Sequence, residues 1–231
     1  MMCGRFSLFT PLAELAQEMG IEIADGTSFE PSWNIAPSTW LPVACASQRI
    51  GDDEQVPVHY RLMRWGFLPS WAKQDKSRAI NARAETAAEK PMFRTAFTNC
   101  RCLIPADGWF EWQKAPHGKI PWYISSNNGE TMLMAGLYEV WCSDTVGHIE
   151  SFCILTREAS EGLSDIHHRM PVLIARKDCS EWLHSSTSHN RLEHLMSAGE
   201  PTGLDWYVVS DGVNSAATDE PALIDALPTL F

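Results

Sequence analysis

The sequence holds no run of about 20 apolar residues, the length a helix needs to cross a bilayer. Its first 20 residues lack the basic flank and apolar stretch of a secretory leader, which predicts a chain that stays in the cytoplasm. Repeats, low-complexity tracts and a clear linker are absent too, so the 231 residues are read as one domain. There is no glycine-rich loop of the kind that cradles phosphates, and no nucleotide cofactor is indicated. The seven cysteines are odd in number and scattered, several inside apolar runs such as "VACAS" and "SFCIL", so no disulfide framework is expected. Only Cys100 and Cys102 stand close together, and no second pair at ligand spacing completes a zinc site. No metal is expected. His184, His189 and His194 recur at intervals of five, which spreads them around a helix, and they are read as solvated. Positive charge is also scarce: 18 Lys and Arg stand against 29 Asp and Glu, a formal net charge of −11. That balance argues against bulk electrostatic binding of nucleic acid. It leaves room for a local basic groove, because the acidic residues gather in turn-like stretches ("IGDDEQ", "GETM") and in the C-terminal 21 residues.

What is present is the composition of an ordinary globular protein, 45% hydrophobic and 20% charged. "TPLAELAQEMG" predicts a helix: Thr10 to cap, Pro11 in the first turn, Leu12, Leu15, Ala16 and Met19 at helical spacing, Gly20 to stop it. "TWLPVACAS" and "VPVHYRLMRWGF" read as strands around the acidic turn "RIGDDEQ". "ETAAEKPMFRTAFTN" has helical period, with Pro91 breaking it in two and Met92, Phe93 and Phe97 turned inward. From Cys102 strands dominate: "GWFEWQK", "IPWYIS", "TMLMAGLYEVW" and "HIESFCILT", joined by turn formers, suggest an antiparallel meander. Helices follow at about 177–184 and 190–197, and "LDWYVVS" closes the pattern as a late strand. Strands and helices are segregated rather than alternating. The predicted class is α+β, a single domain over residues 1–210 on a large antiparallel sheet, barrel-like or open, with flanking helices and an acidic tail at 211–231.

Ten tryptophans are heavy use for this length, and a core accounts for most of them. Trp65 and Trp71 flank a Pro/Ser turn with Arg64, Lys73, Lys76 and Arg78 nearby, and aromatics interleaved with cations are how single-stranded nucleic acid is held. In "INARAET", Asn81 could cap or turn and Arg83 could pair with Glu85. In "ADGWFEW", strand alternation sends Glu111 to the face opposite Phe110 and Trp112. There it is either an exposed carboxylate or a carboxyl walled by aromatics, with a raised pKa suited to acid and base work near neutrality. "SDIHHRMP" sets two histidines, His167 and His168, and Arg169 before an apolar strand.

"CGRF", "WNIAP", "WGFLPSW", "INARAET", "ADGWFEW", "ILTREAS" and "DIHHRMP", in this order and over residues 3 to about 175, resemble the SOS-response-associated peptidase family. The resemblance implies binding of single-stranded DNA at an abasic site. It further implies a covalent link from an N-terminal cysteine to the sugar aldehyde, closed as a thiazolidine, with lyase-type strand cleavage as a related activity. Carried over by motif, the active-site members are Cys3, Asn81, Glu111 and His167. Arg5, Arg83 and Arg169 match the family's DNA-contacting arginines, with Trp65 and Trp71 as aromatic contacts. The implied chain works as a cytoplasmic monomer, on the nucleoid when DNA is damaged, with no membrane and no cofactor. One departure stands out: where some relatives carry two successive tryptophans, Trp71 is followed here by Ala72.

The implied chemistry explains why the terminus matters. An α-amine has a reference pKa near 7.7 to 8.0 against about 10.4 for lysine, so far more of it is unprotonated at pH 7. An amine and a thiol on adjacent carbons can close a five-membered ring on an aldehyde. Cys3 therefore has to be exposed, either by translation from Met2 or by processing. Arg5 is expected to hold the thiolate, Glu111 to shuttle the proton, His167 to assist sugar opening and Asn81 to orient the amine. Two other readings use the same residues. One is a cysteine peptidase, with Cys3 as nucleophile, His167 as base and Glu111 as orienter, acting generally or only on its own leader methionine; the other is a plain nucleic-acid-binding module.

Overall fold

The computed structural model describes residues 3–46, 57–75, 79–143, 145, 147–198 and 203–228. Met1, Met2, Lys76 and Arg78, the whole turn "RIGDDEQ" and the last three residues lie outside them. In chain order the elements run β1 (Phe6–Leu8), α1 (Leu12–Met19), β2 (Glu22–Ile23), β3 (Ser32–Ile35), β4 (Trp40–Ala46), β5 (Val58–Trp65) and β6 (Asn81–Arg83). They continue with α2 (Ala84–Ala87), α3 (Arg94–Asn99), β7 (Arg101–Ala106), β8 (Gly108–Ala115), β9 (Gly118–Ser126), β10 (Met132–Ser143) and β11 (Gly147–Glu158). Last come β12 (Arg169–Pro171), α4 (Cys179–Leu183), α5 (His189–Ala198) and β13 (Leu204–Val208).

Pairing divides the strands into two sheets. The larger runs β12-β11-β10-β7-β4-β5-β2, and an additional parallel pairing of β11 with β5 joins β11, β10, β7, β4 and β5 into a closed ring. The smaller sheet is ordered β13-β9-β8-β1-β3. The class is therefore α+β, with a barrel at its centre. Closure leaves no unpaired edge in the ring, which suits strands as apolar as "LMRW" and "FCIL". The expected meander is corrected: β8–β9 and β10–β11 are both hairpins, but they belong to different sheets. The turn "SNNGE" carries the chain from one sheet to the other. Local alternation marks a strand without saying which sheet receives it.

The two sheets bury one core between them. Phe6 of the small sheet meets Trp65 of the barrel edge to face at 5.1 Å, and Trp65 stacks on Phe152 at 6.5 Å. Helix α1 follows the expected boundaries, with Gly20 in the left-handed conformation at its end, where a side chain would strain the backbone. Thr10 does not cap it. Its hydroxyl donates instead to Asp107. Pro91 separates α2 from α3 as expected. Arg101 is buried with no carboxylate partner, and its guanidinium donates to the carbonyls of Phe97, Thr98, Trp182 and His184 at the ends of α3 and α4. A cation suits these two helix C-termini because their last carbonyls have no partner within the helix.

The acidic stretch expected as a tail is docked in its described part. Val213 and Leu223 are buried with Phe110 and Tyr123, Asn34 donates to the carbonyls of Ser215 and Thr218, and Asp219 accepts from Ser32 and the Trp33 amide. Its carboxylates stay outward while its sparse apolar residues seat on the back of β8 and β9. Composition averaged over the segment hides that pattern.

Candidate active site

The order of the small sheet sets the site. β1 lies between β3 and β8, with Phe6 opposite Trp109 and Ser7 opposite Gly108, so the residues leading into β1 run back along β8. The amide of Phe110 donates to the carbonyl of Arg5. This register carries Cys3 to Glu111, whose Oε1 accepts from the Cys3 nitrogen at 2.8 Å. Glu111 does face away from Phe110, as alternation requires, but that face looks into the molecule toward the barrel. It is 3% exposed.

Burial governs its chemistry. Desolvation lifts the Glu111 carboxyl to about 8, against the downward pull of the Cys3 hydrogen bond, so the group is mostly protonated at neutral pH. Its second oxygen, Oε2, has no hydrogen-bond partner and stands 3.9 Å from Nδ1 of His167. His167 is held by its neighbour: Nδ1 lies 3.2 Å from both the amide and the carbonyl of Arg169. Burial lowers the pKa of His167, so the ring stays neutral near pH 7.

Asn81 opens β6, which runs parallel to β11 with Ile154 as its partner. Its side-chain amide donates to the carbonyl of Cys3 at 3.3 Å. Cys3 itself is fully buried, with a positive φ of 25°. Its thiol is pushed well up, first by burial and then by the charge of Glu111. Sequence elements separated by more than 100 residues thus converge on one backbone unit. They grip the nitrogen and carbonyl of Cys3 from two sides.

The arginines behave differently from expectation. Arg5 turns away from the thiol: Nη1 donates to Asn34 Oδ1 at 2.7 Å and to the Val213 carbonyl at 3.0 Å. The charged group facing the sulfur is Glu111, which disfavours a thiolate. Arg169 is 6% exposed, forks onto both oxygens of Glu85 at 2.7 and 2.8 Å, and donates to the Thr156 carbonyl. As it stands its guanidinium is committed to the protein. Arg83 is exposed and does not pair with Glu85. It lines a cleft of about 750 Å³ together with Glu85, Arg157, Arg169 and Glu193.

Trp65 is corrected outright. It has no exposed surface, its indole N–H donates to the Ile80 carbonyl, and it belongs to the core. Trp71 is 65% exposed on the loop after β5. That loop is pinned by Arg64, which forks onto Asp75, by Ser151 Oγ accepting from the Leu68 amide, and by the Trp141 indole donating to the Ala72 carbonyl at 2.7 Å. Glu85, offered in the sequence only to Arg83, holds Arg169, and Asn34, given no role there, holds Arg5. Each sits inside a quoted motif, and that proximity was the available signal. Among the described residues, no group of three or more His, Cys, Asp or Glu is placed to hold a metal ion. No helix among them is long and apolar enough to cross a membrane.

This geometry can be set beside known proteins. The family model described as SOS response associated peptidase (SRAP) matches residues 2–216. The chain belongs to that family. Its SRAP relatives include the abasic site processing protein YoqW of Bacillus subtilis, 35% identical over 97% of this chain and 100% of that one. The abasic site processing protein YedK of Escherichia coli is 31% identical over 96% and 99%. The abasic site processing protein HMCES of Gallus gallus is 27% identical, covering 95% of this chain and 76% of its own. A crystal structure of a protein from Bacteroides thetaiotaomicron superposes with a TM-score of 0.82 at 25% identity, over 98% of this chain and 100% of that one. The family match thus takes in the barrel, the small sheet and the start of the docked C-terminal segment, and the structural likeness runs over nearly the whole chain.

Proposed function

We propose that the chain processes abasic sites in single-stranded DNA by forming a covalent adduct through Cys3 once its α-amine is free. The observation that carries this reading is the 2.8 Å contact between the Cys3 nitrogen and a buried carboxyl held near 8. A protonated acid beside the reacting nitrogen suits imine chemistry, which has to expel water. The amine adds to the C1′ aldehyde of the opened sugar, and Glu111 protonates the hydroxyl that leaves as water, giving C=N. Glu111 then takes a proton back from the nitrogen side. The thiol adds to the imine carbon, its sulfur bonding C1′ and its proton ending on nitrogen, so one water is lost overall. A protonated thiol fits this last step, because ring closure is intramolecular and does not rely on a standing thiolate.

Asn81 fixes the Cys3 carbonyl and so the direction of the amine. His167, neutral and 3.9 Å from Glu111, is placed to exchange protons with it during sugar opening. Trp71 offers a face for a base beside the lesion, and Arg83 a cation for the backbone. The raised thiol weighs against the cysteine-peptidase reading, which needs a nucleophile with a lowered pKa.

The test uses protein whose mass shows Cys3 as its first residue, incubated with an abasic single-stranded oligonucleotide and run on a denaturing gel. A heat-resistant band that shifts with the protein, and is lost in Cys3→Ser, is expected. Borohydride should still trap the Schiff base of Cys3→Ser, which keeps the amine. A wild-type chain that gives no adduct, or equal adduct with the terminus blocked, overturns the reading.

A further inference from the structure

Burial of Trp65 leaves Trp71 as the one aromatic contact that the motifs supplied. A single indole is a poor hold on a flexible strand. The structure supplies another. Trp40, the first residue of β4, is 46% exposed, and apart from Trp71 it is the most exposed tryptophan among the described residues. Its position follows from register. Trp40 is the cross-strand partner of Arg64, and Arg64 in turn is the partner of Ser151. Directly paired residues share a face of the sheet. Arg64 and Ser151 are two of the three side chains that pin the Trp71 loop, through Asp75 and Leu68. Trp40 therefore stands on the face that carries this loop, one strand along from its anchor.

Two clefts that share His148 as a wall lie beside Trp40 and beside the Trp71 loop. The one beside the loop, of about 530 Å³, is lined by Ala72, Lys73 and His148, and the other, of about 250 Å³, by His148, Arg61 and Trp40. Among the described residues, the charges around these clefts nearly cancel. Arg61 pairs with Glu150 and Arg64 with Asp75, Asp25 adds a negative charge, and Lys73 adds a positive one. A groove with little net charge holds a strand by its bases rather than its phosphates.

We propose that Trp40 is a second base-stacking platform, taking an unpaired nucleobase several positions from the one on Trp71, so that the strand lies along these clefts between the two indoles. The proposal rests on single-stranded DNA being the ligand. Its test uses the full chain and a fluorescein-labelled undamaged oligothymidylate, with anisotropy titrations at several salt concentrations.

Trp40→Ala is expected to weaken binding by about 5- to 100-fold, the range for loss of one base–aromatic stack. Trp40→Phe should retain most of the affinity and Trp40→Leu should not, a contrast that decides the matter if the alanine variant folds poorly. The salt dependence should keep its slope, since no phosphate contact is lost. Trp206→Ala, at an indole 38% exposed on β13, should bind within a factor of two of wild type. Normal binding by Trp40→Ala alongside weakened binding by Trp71→Ala would overturn this inference alone, as would equal losses from Trp40→Ala and Trp206→Ala. A wild-type chain that fails to bind single strands at all would overturn the proposed function, and this inference with it.

Discussion

Asp107 and Glu111 lie four residues apart where β7 passes into β8, and both are nearly buried, at 8% and 3% exposure. Asp107 is saturated. It accepts from the amides of Phe9 and Thr10 and from the hydroxyls of Thr10 and Thr131, at 2.6 to 2.9 Å, and so ties the link between β1 and α1 to the start of β10. Glu111 accepts one bond and leaves an oxygen empty. The first carboxylate spends its acceptors on the fold, and the second is kept short of partners at a place where a proton can be given. Burial costs an ionised group heavily unless hydrogen bonds replace water. The different outcomes of two similar residues therefore come from what surrounds them rather than from depth.

The sharpest way to break this contrast is to exchange what each residue can do. Glu111→Gln should slow adduct formation by about 10²-fold or more, the usual worth of a positioned acid or base, while the melting temperature holds or rises. Single-turnover rates on an abasic oligonucleotide and a thermal melt on the same sample check both halves. Asp107→Ala should do the reverse: about 2 to 4 kcal/mol lost in urea unfolding, from four donors stranded at once, with the rate of the folded fraction within a few-fold of wild type. If both substitutions proved mainly destabilising, the contrast would fail.

Gly108 separates the two regions, and a side chain there would run into the ring of Tyr123, whose hydroxyl bonds Ser7. Gly108→Ala should cost about 1 to 3 kcal/mol by overpacking, with Gly136→Ala as a comparison inside the barrel. The remaining effect is in pH. Between its ordinary 4.5 and about 8, Glu111 keeps in the folded chain a proton that the unfolded chain has released. Its contribution to stability is therefore full below about 4.5, declines as pH rises toward 8 by at most about 1.4 kcal/mol per unit, and is flat above. The melting temperature of Glu111→Gln relative to wild type should climb from pH 5 to about 8 and level off above. A difference constant over that range would place the pKa elsewhere.

Much of this was legible in the residues, because short-range rules act over a few positions. The stop at Gly20, the break at Pro91 and the inward turn of Phe93 and Phe97 follow from local periodicity and backbone chemistry. The facing of Glu111 away from Phe110 was legible too. Whether that face met solvent or core depended on β8 being packed against the barrel, which no window of residues contains. Trp65 went astray for a related reason: aromatic and basic neighbours in sequence were split by the pleat, Trp65 inward and Arg64 outward. Arg169 was assigned to DNA by motif resemblance, and its pairing with Glu85, 84 residues away, was not legible because Glu85 had been offered to Arg83 next door. The four residues of the site came together through motif resemblance. Pairing of β1 with β8 and of β6 with β11 is the physical reason they meet.

The position of β1 has a mechanical consequence. Cys3 leads directly into a strand clasped on both sides, by β3 and by β8, and not into a loose arm. Tension on DNA joined to that residue would pass straight into the middle of the small sheet, where β1 could be extracted only by breaking its bonds to two neighbours together. The tether would be as strong as the sheet, and pulling hard enough to free it would open the protein at the point where the lesion is held.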